Sequence, residues 1–89
     1  MSQLFTPFQL RDVRLRNRIA VPPMCQYSAL EGHLTDWHAA HYASVARGGA
    51  GLVIVEATGV SPEGRITPGC AGLWQDSQTE GLARVVAAI

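Results

Sequence analysis

Hydrophobic and polar residues change rhythm several times along this chain, and each change predicts an element. In "FQLRDVRLRNR", Phe8 to Arg18, apolar positions alternate with charged ones through Val13 and Leu15, with Arg11 and Asp12 where a turn would reverse the chain. Alternation on both sides of a turn predicts a short hairpin. "IAVPPM" follows, an apolar run broken by Pro22 and Pro23, which lack the N–H that a central ladder position must donate. A buried strand therefore ends there. "ALEGHLTD" reads as a loop, with Asp36 placed to cap a helix through its carboxylate. Trp37 to Arg47 contains neither glycine nor proline, and Gly48 stands where a helix would stop in the left-handed conformation.

Beyond "GGAG", the run "LVIVEA" is β-branched, too short for a helix and apolar on both faces, which predicts a parallel strand covered on each side. "TGVSPEGRITPGCAGLWQD" is long and rich in glycine and proline, and reads as a loop of the length that carries function. Ser77 and Glu80 fit a capping box, and Leu82, Val85, Val86 and Ile89 recur at the spacing of one apolar helix face. The pattern is α/β: a hairpin, then two strand–helix units. Its last stripe stops at Ile89 without a glycine or a polar exit, and the outer edges of its two strands lack partners. Residues 1–89 are therefore expected to be part of one larger domain, incomplete at the C-terminus.

Composition narrows the function classes. With 89 residues, 47% of them hydrophobic and 16% charged, the chain has a globular composition. Alone it would bury only about 60–65% of its unfolded surface, which is marginal. Seven basic residues, all arginine, balance seven acidic ones, so no global charge attracts nucleic acid or an anionic membrane. Arg14, Arg16 and Arg18 share one face of an extended segment without interleaved aromatic residues, the pattern of a solvated face. No run approaches the roughly 18 apolar residues of a membrane span, and the start lacks the character of a signal peptide, so a cytoplasmic protein is expected. In that compartment Cys25 and Cys70 are expected to remain thiols.

In a right-handed crossover the carboxyl ends of both parallel strands open on one rim, where α/β folds bind ligands. Pro22, Pro23, Met24 and Cys25 end the first strand, and Glu56, Ala57 and Thr58 end the second. Cys25 reads either as a small buried residue or as a thiol facing a ligand. Tyr27 either caps the core with its ring or donates its phenol into a pocket. Met24 reads as filler whose backbone position matters. Glu56 is a catalytic acid or, more simply, the buried partner of an arginine such as Arg18 or Arg65. His38 and His41 lie one helical turn apart, but no cysteine or carboxylate completes a metal set with them or with His33. "GGAG" precedes its strand, unlike a dinucleotide fingerprint, and reads as a turn.

"LRNRIAVPPMCQYS", followed by "HAAHYASVARGGAGLVIVEATGVSPEGRIT" and "GLWQD", resembles the opening of the Old Yellow Enzyme family of flavin-dependent ene-reductases, closest to its xenobiotic-reductase-like branch. The resemblance covers essentially the whole chain. It implies the first two strand–helix units of a TIM (β/α)8 barrel, with residues 1–89 as the N-terminal part of a single FMN-binding domain. It further implies FMN reduced by NADPH or NADH, and hydride delivery to activated alkenes such as enones and nitroalkenes. By the same resemblance Pro22, Pro23, Met24 and Cys25 lie along the flavin, Cys25 adjusts its potential, Tyr27 holds the substrate, and the main chain of Ala57 meets the flavin's pyrimidine edge. The family's third-strand glutamine, its carbonyl-binding histidine-type pair, its proton-donating tyrosine and its phosphate-binding loops correspond to positions after Ile89, so the 89-residue chain alone is expected to be inactive. Relatives in this branch often form dimers. Two other classes stay open at this stage. One is a non-catalytic barrel fragment that pairs its edges with another copy or a complementary fragment; the other is a thiol redox module built on Cys25 and Cys70.

Overall fold

The hairpin forms as its alternation requires. In the computed structural model, which describes residues 2–89, β1 (Phe8–Leu10) and β2 (Val13–Leu15) pair antiparallel, with Phe8 opposite Leu15 and Leu10 opposite Val13. Arg11 takes left-handed backbone, φ 51°, at the turn. On the outer face the Arg18 guanidinium lies 5.1 Å from the centre of the Phe8 ring and donates to the Pro7 carbonyl and the Thr6 hydroxyl. Arg16 reaches further and donates to the Ala50 carbonyl. The solvated arginine face thus also ties the hairpin to the chain that follows.

β3 (Ala20–Val21) and β4 (Leu52–Val53) pair in parallel, Ala20 opposite Leu52 and Val21 opposite Val53. Their ladder begins where the Ile19 carbonyl accepts from Gly51 and ends where the Val21 carbonyl accepts from Ile54 at 3.0 Å. The next two residues on the β3 side are Pro22 and Pro23, which have no N–H to offer. The expected cover on both faces of β4 is not found. Leu52, Ile54 and Val55 keep 39%, 43% and 38% of their surface exposed, because a two-stranded pair with one crossover helix leaves one face and both outer edges open.

The crossover helix α1 (Asp36–Arg47) starts one residue before the position read from sequence. Its N-cap is Thr35, not Asp36: the Thr35 N–H donates to Nδ1 of His38 at 2.9 Å, a histidine counterpart of the capping box. Asp36 is instead a helical residue whose carboxylate, on the surface, pairs with Arg84 at 2.6 Å. At the other end Gly48 is right-handed, φ −65°, and the left-handed residue is Gly49, φ 103°. The chain needs that conformation one step later, where the Asn17 amide donates to the Gly49 carbonyl at 2.7 Å.

The segment read as pure loop contains a second parallel pair. β5 (Thr58–Gly59) runs beside β6 (Ala71–Gly72), extended by a bond from the Leu73 N–H to the Gly59 carbonyl. Between them, residues 62–64 form a single 3-10 turn capped by the Ser61 hydroxyl. Helix α2 (Thr79–Ala88) follows a further 3-10 turn, Asp76–Gln78. The expected Ser77–Glu80 box does not form. Gln78, 1% exposed, does the work: its Oε1 accepts from the backbone N–H groups of Trp74 and Gln75, and its Nε2 donates to the Glu31 carbonyl. Ser77 Oγ accepts from Gln75 Nε2 and meets Nε2 of His33. Of the apolar stripe on α2, Val85 is buried and Leu82 half-buried, while Val86 and Ile89 remain 70% and 51% exposed.

The Trp74 ring lies in a cradle of two glycines. A Cβ on Gly72 would fall 2.1 Å from its Cζ3, and one on Gly32, φ 75°, would fall 2.5 Å from its Cη2. Gly72→Ala must therefore displace the ring. The expected cost is about 1–3 kcal/mol, read as a lowered urea midpoint together with a shift in tryptophan emission; an unchanged midpoint would show that the ring is not held there.

Candidate functional site

The two strand ends meet on one rim, as the crossover geometry requires. The Gln26 N–H, just beyond Cys25, donates to Oε1 of Glu56 at 3.4 Å, so the segment after β3 sits directly beside the segment after β4. Pro22, Pro23, Met24 and Tyr27 are exposed on this rim, Cys25 is half-buried, and Ala57 is exposed. The Ala57 N–H donates no hydrogen bond among the described residues. A cavity of about 190 Å³ adjoins it, lined by Ala57, Gly59, Arg65, Ile66 and Cys70. That volume is below the roughly 300 Å³ at which small-molecule sites begin. These residues alone therefore do not enclose a small-molecule site.

Tyr27 has left-handed backbone, φ 54°, and a ring 61% exposed. Its backbone is held by close approach. A Cβ on Gly69 would fall 2.8 Å from the Tyr27 carbonyl oxygen, and two residues on, the Ala29 N–H donates to the Gly69 carbonyl. The segment between β5 and β6 thus braces the loop after β3. Gln26 is fixed at three further points: its Oε1 accepts from the Trp37 indole N–H, its Nε2 donates to the Met24 carbonyl, and its own carbonyl accepts from the Ser28 hydroxyl.

Glu56 does not pair with an arginine. Arg18 is engaged on the hairpin, and Arg65 lies over the Trp74 ring while donating to the Pro62 and Pro68 carbonyls. The 3% exposed carboxylate instead accepts from the Tyr42 hydroxyl at 2.7 Å, and that same hydroxyl accepts from the Glu56 N–H at 2.9 Å. His38, fully buried, presents Nε2 at 3.6 Å from Glu56 Oε1, beyond a hydrogen bond. Since Nδ1 of His38 accepts from Thr35, the proton of the neutral ring belongs on Nε2, facing the carboxylate. Burial pushes the Tyr42 phenol up to about 12, with the neighbouring carboxylate adding to the effect. It also pushes the His38 imidazole below its ordinary value, against the pull of Glu56. His38 and His41 lie one helical turn apart, but the spacing that matters is His38 to Tyr42, four residues apart on one helix face, since both side chains meet Glu56. His41 stacks against Trp37 instead.

Cys25 and Cys70 are both free thiols. Cys70 is 2% exposed, and its sulfur meets the Thr67 N–H and hydroxyl at 3.3 and 3.4 Å, contacts that hold its pKa below the ordinary value. A buried thiol so engaged gives a two-cysteine redox module no accessible partner. Among the described residues no three histidine, cysteine or acidic side chains gather as a metal set, and no helix is long and apolar enough to cross a membrane.

The buried neutral histidine makes stability depend on pH. Its folded pKa lies below the value of 6.5 that the unfolded chain would show, so below that pH the unfolded state binds a proton the folded state refuses. Stability is expected to fall as pH drops below 6.5. His38→Gln should remove that component. Denaturant titrations of both forms between pH 7 and 5 check it.

Residues 3–89 match the NADH:flavin oxidoreductase / NADH oxidase family. The chain is 52% identical over 88 residues to an NADPH dehydrogenase of Listeria monocytogenes, covering 97% of this chain and 26% of that protein. It is 51% identical over 85 residues to an NADPH dehydrogenase of Bacillus subtilis, covering 93% and 25%. Among solved structures, morphinone reductase in complex with tetrahydroNAD superposes with a TM-score of 0.87 at 34% identity, over 99% of this chain and 24% of that one. The old yellow enzyme homologue from Zymomonas mobilis gives 0.83 at 34% identity, over 98% and 24%. The chain thus spans about a quarter of the length of the relatives it matches. With this architecture it corresponds to the N-terminal region of their (β/α)8 barrel, and the chain belongs to the NADH:flavin oxidoreductase / NADH oxidase family.

Proposed function

We propose that the protein containing this chain is an FMN-dependent oxidoreductase that uses NADPH or NADH to reduce activated C=C bonds, of the kind found in enones and nitroalkenes. The observation that carries the reading is the shared rim: one hydrogen bond, Gln26 N–H to Glu56, sets Met24–Tyr27 beside Ala57. The residues there fit a flat aromatic cofactor. They supply an exposed thioether, a half-buried thiol, a small side chain and a backbone N–H without a partner among the described residues. FMN, when bound, supplies the hydride-transfer chemistry.

Each residue of this chain then has a task. Pro22, Pro23 and Met24 end the strand and offer backbone and side-chain surface to the ring. Ala57 leaves room for close approach and offers its N–H as a donor. The Cys25 thiol offers a donor towards a ring whose electron count changes, which favours the electron-rich form. Tyr27, held with its phenol in the open, offers an O–H to the carbonyl or nitro oxygen of the substrate, where charge develops as hydride arrives. The exposed Leu52, Ile54 and Val55 support a partner for this surface, supplied by further strands of the same barrel. A non-catalytic fragment that self-associates is the alternative for the chain alone, and the same three side chains favour it in that setting.

The purified protein is expected to be yellow, to bleach with NADPH in the absence of oxygen and to recover its colour on addition of an enone. A colourless, self-associating preparation supports the fragment reading. Within the enzyme, Cys25→Ala is expected to lower the flavin potential. Tyr27→Phe is expected to reduce kcat/KM for an enone about tenfold, the cost of one hydrogen bond to a charge-bearing oxygen. Redox titration and steady-state kinetics check the two variants; unchanged values in both would remove these residues from the site.

A further inference from the structure

Behind the rim lies a set of buried polar groups that the proposed reaction does not use. Glu56 is 3% exposed, Tyr42 2% and His38 0%. Burying a carboxylate is costly unless its oxygens are satisfied, and here Oε2 is taken by the Tyr42 hydroxyl while Oε1 faces two groups, the Gln26 N–H and His38 Nε2. One contact of the three leaves the cluster for the rim. The Gln26 N–H lies between Cys25 and Tyr27, and the rest of Gln26 is bonded to Met24, Ser28 and Trp37. The carboxylate is therefore the buried anchor for the short segment that carries the exposed thioether, the thiol and the phenol.

We propose that Glu56, held by Tyr42, is a positioning residue: it fixes the backbone between Cys25 and Tyr27 and so sets where both side chains point on the rim. The inference rests on the flavin reading for its catalytic meaning, but not for its geometry. Without the carboxylate the Gln26 N–H and the Tyr42 hydroxyl lose their acceptor together, and the strained Tyr27 backbone loses one of its two braces, Gly69 being the other. Glu56→Gln keeps an acceptor oxygen for Gln26 and a polar group for Tyr42 at nearly the same size. The conservative variant should therefore rescue what Glu56→Ala loses.

The test measures iodoacetamide labelling of each cysteine, by peptide mass spectrometry, in the full protein stripped of flavin. Cys70 is the internal control, since general loosening exposes both thiols whereas loss of positioning exposes Cys25 alone. The expected result for Glu56→Ala is at least fivefold faster labelling of Cys25, with Cys70 as protected as in the parent and Glu56→Gln within twofold of it. Equal acceleration at both cysteines, no acceleration, or a Glu56→Gln variant as fast as Glu56→Ala would overturn the proposal. Should Glu56→Ala fail to fold, Tyr42→Phe carries the same test, with at least twofold faster labelling of Cys25 alone expected and a rate equal to the parent's overturning it. Added FMN should slow labelling of Cys25 in the parent protein. Absence of that protection counts against the flavin reading while leaving the positioning result intact, so the two failures are distinguishable.

Discussion

A carboxylate removed from water must be answered by donors, and Glu56 shows how far that requirement reaches. Its oxygens draw in a phenol from α1 and a backbone N–H from the segment after β3, and they face an imidazole from α1. Two chain segments besides its own therefore converge on one side chain just beyond β4. A hydrophobic residue of the same volume would pack against α1, but it would give the Gln26 N–H no acceptor. The contacts that satisfy the buried group thereby couple the two strand ends through one side chain.

The double proline and the carboxylate act in sequence. Pro22 and Pro23 end the β3–β4 ladder because they have no N–H, which frees the next residues from strand geometry. Glu56, one turn of the pleat beyond the last ladder bond, takes up the first N–H past Cys25 and gives the freed segment a new constraint. Gly69 completes the arrangement by approaching the Tyr27 backbone more closely than any side-chain-bearing residue could. Rigidity on this rim comes from backbone contacts and buried polar groups, and the apolar surfaces nearby remain open for the rest of a barrel.

The elements with strong local signals were legible in the sequence. Alternation about Arg11 and Asp12, the helix between the loop and the glycines, and the parallel pairing of the "IAV" and "LVIVEA" segments all rest on patterns within a dozen residues. The family was legible for the same reason, through long runs of motif. What escaped depends on partners distant in sequence. Gln78 replaces the expected Ser77 cap because its amide reaches Glu31, 47 residues away in sequence. β5 and β6 pair over two residues each, too few to show a period. Local sequence points Glu56 to an arginine through charge pairing, whereas the acceptor's partners, a phenol and a backbone N–H, carry no formal charge. The rim residues were legible as the ends of two parallel segments, their flavin and substrate roles were implied by the resemblance, and the structure adds the braces behind them.

Tyr27 shows what this arrangement asks of the chain. In the left-handed region a glycine rests without penalty, whereas a residue with a Cβ gives up roughly 1–2 kcal/mol. An aromatic side chain there is a local loss that the backbone would shed if free to choose. The molecule retains it at a solvent-facing position, where the ring repays little through burial, so the loss is borne by the backbone contacts on either side, Gln26 N–H to Glu56 and Ala29 N–H to Gly69.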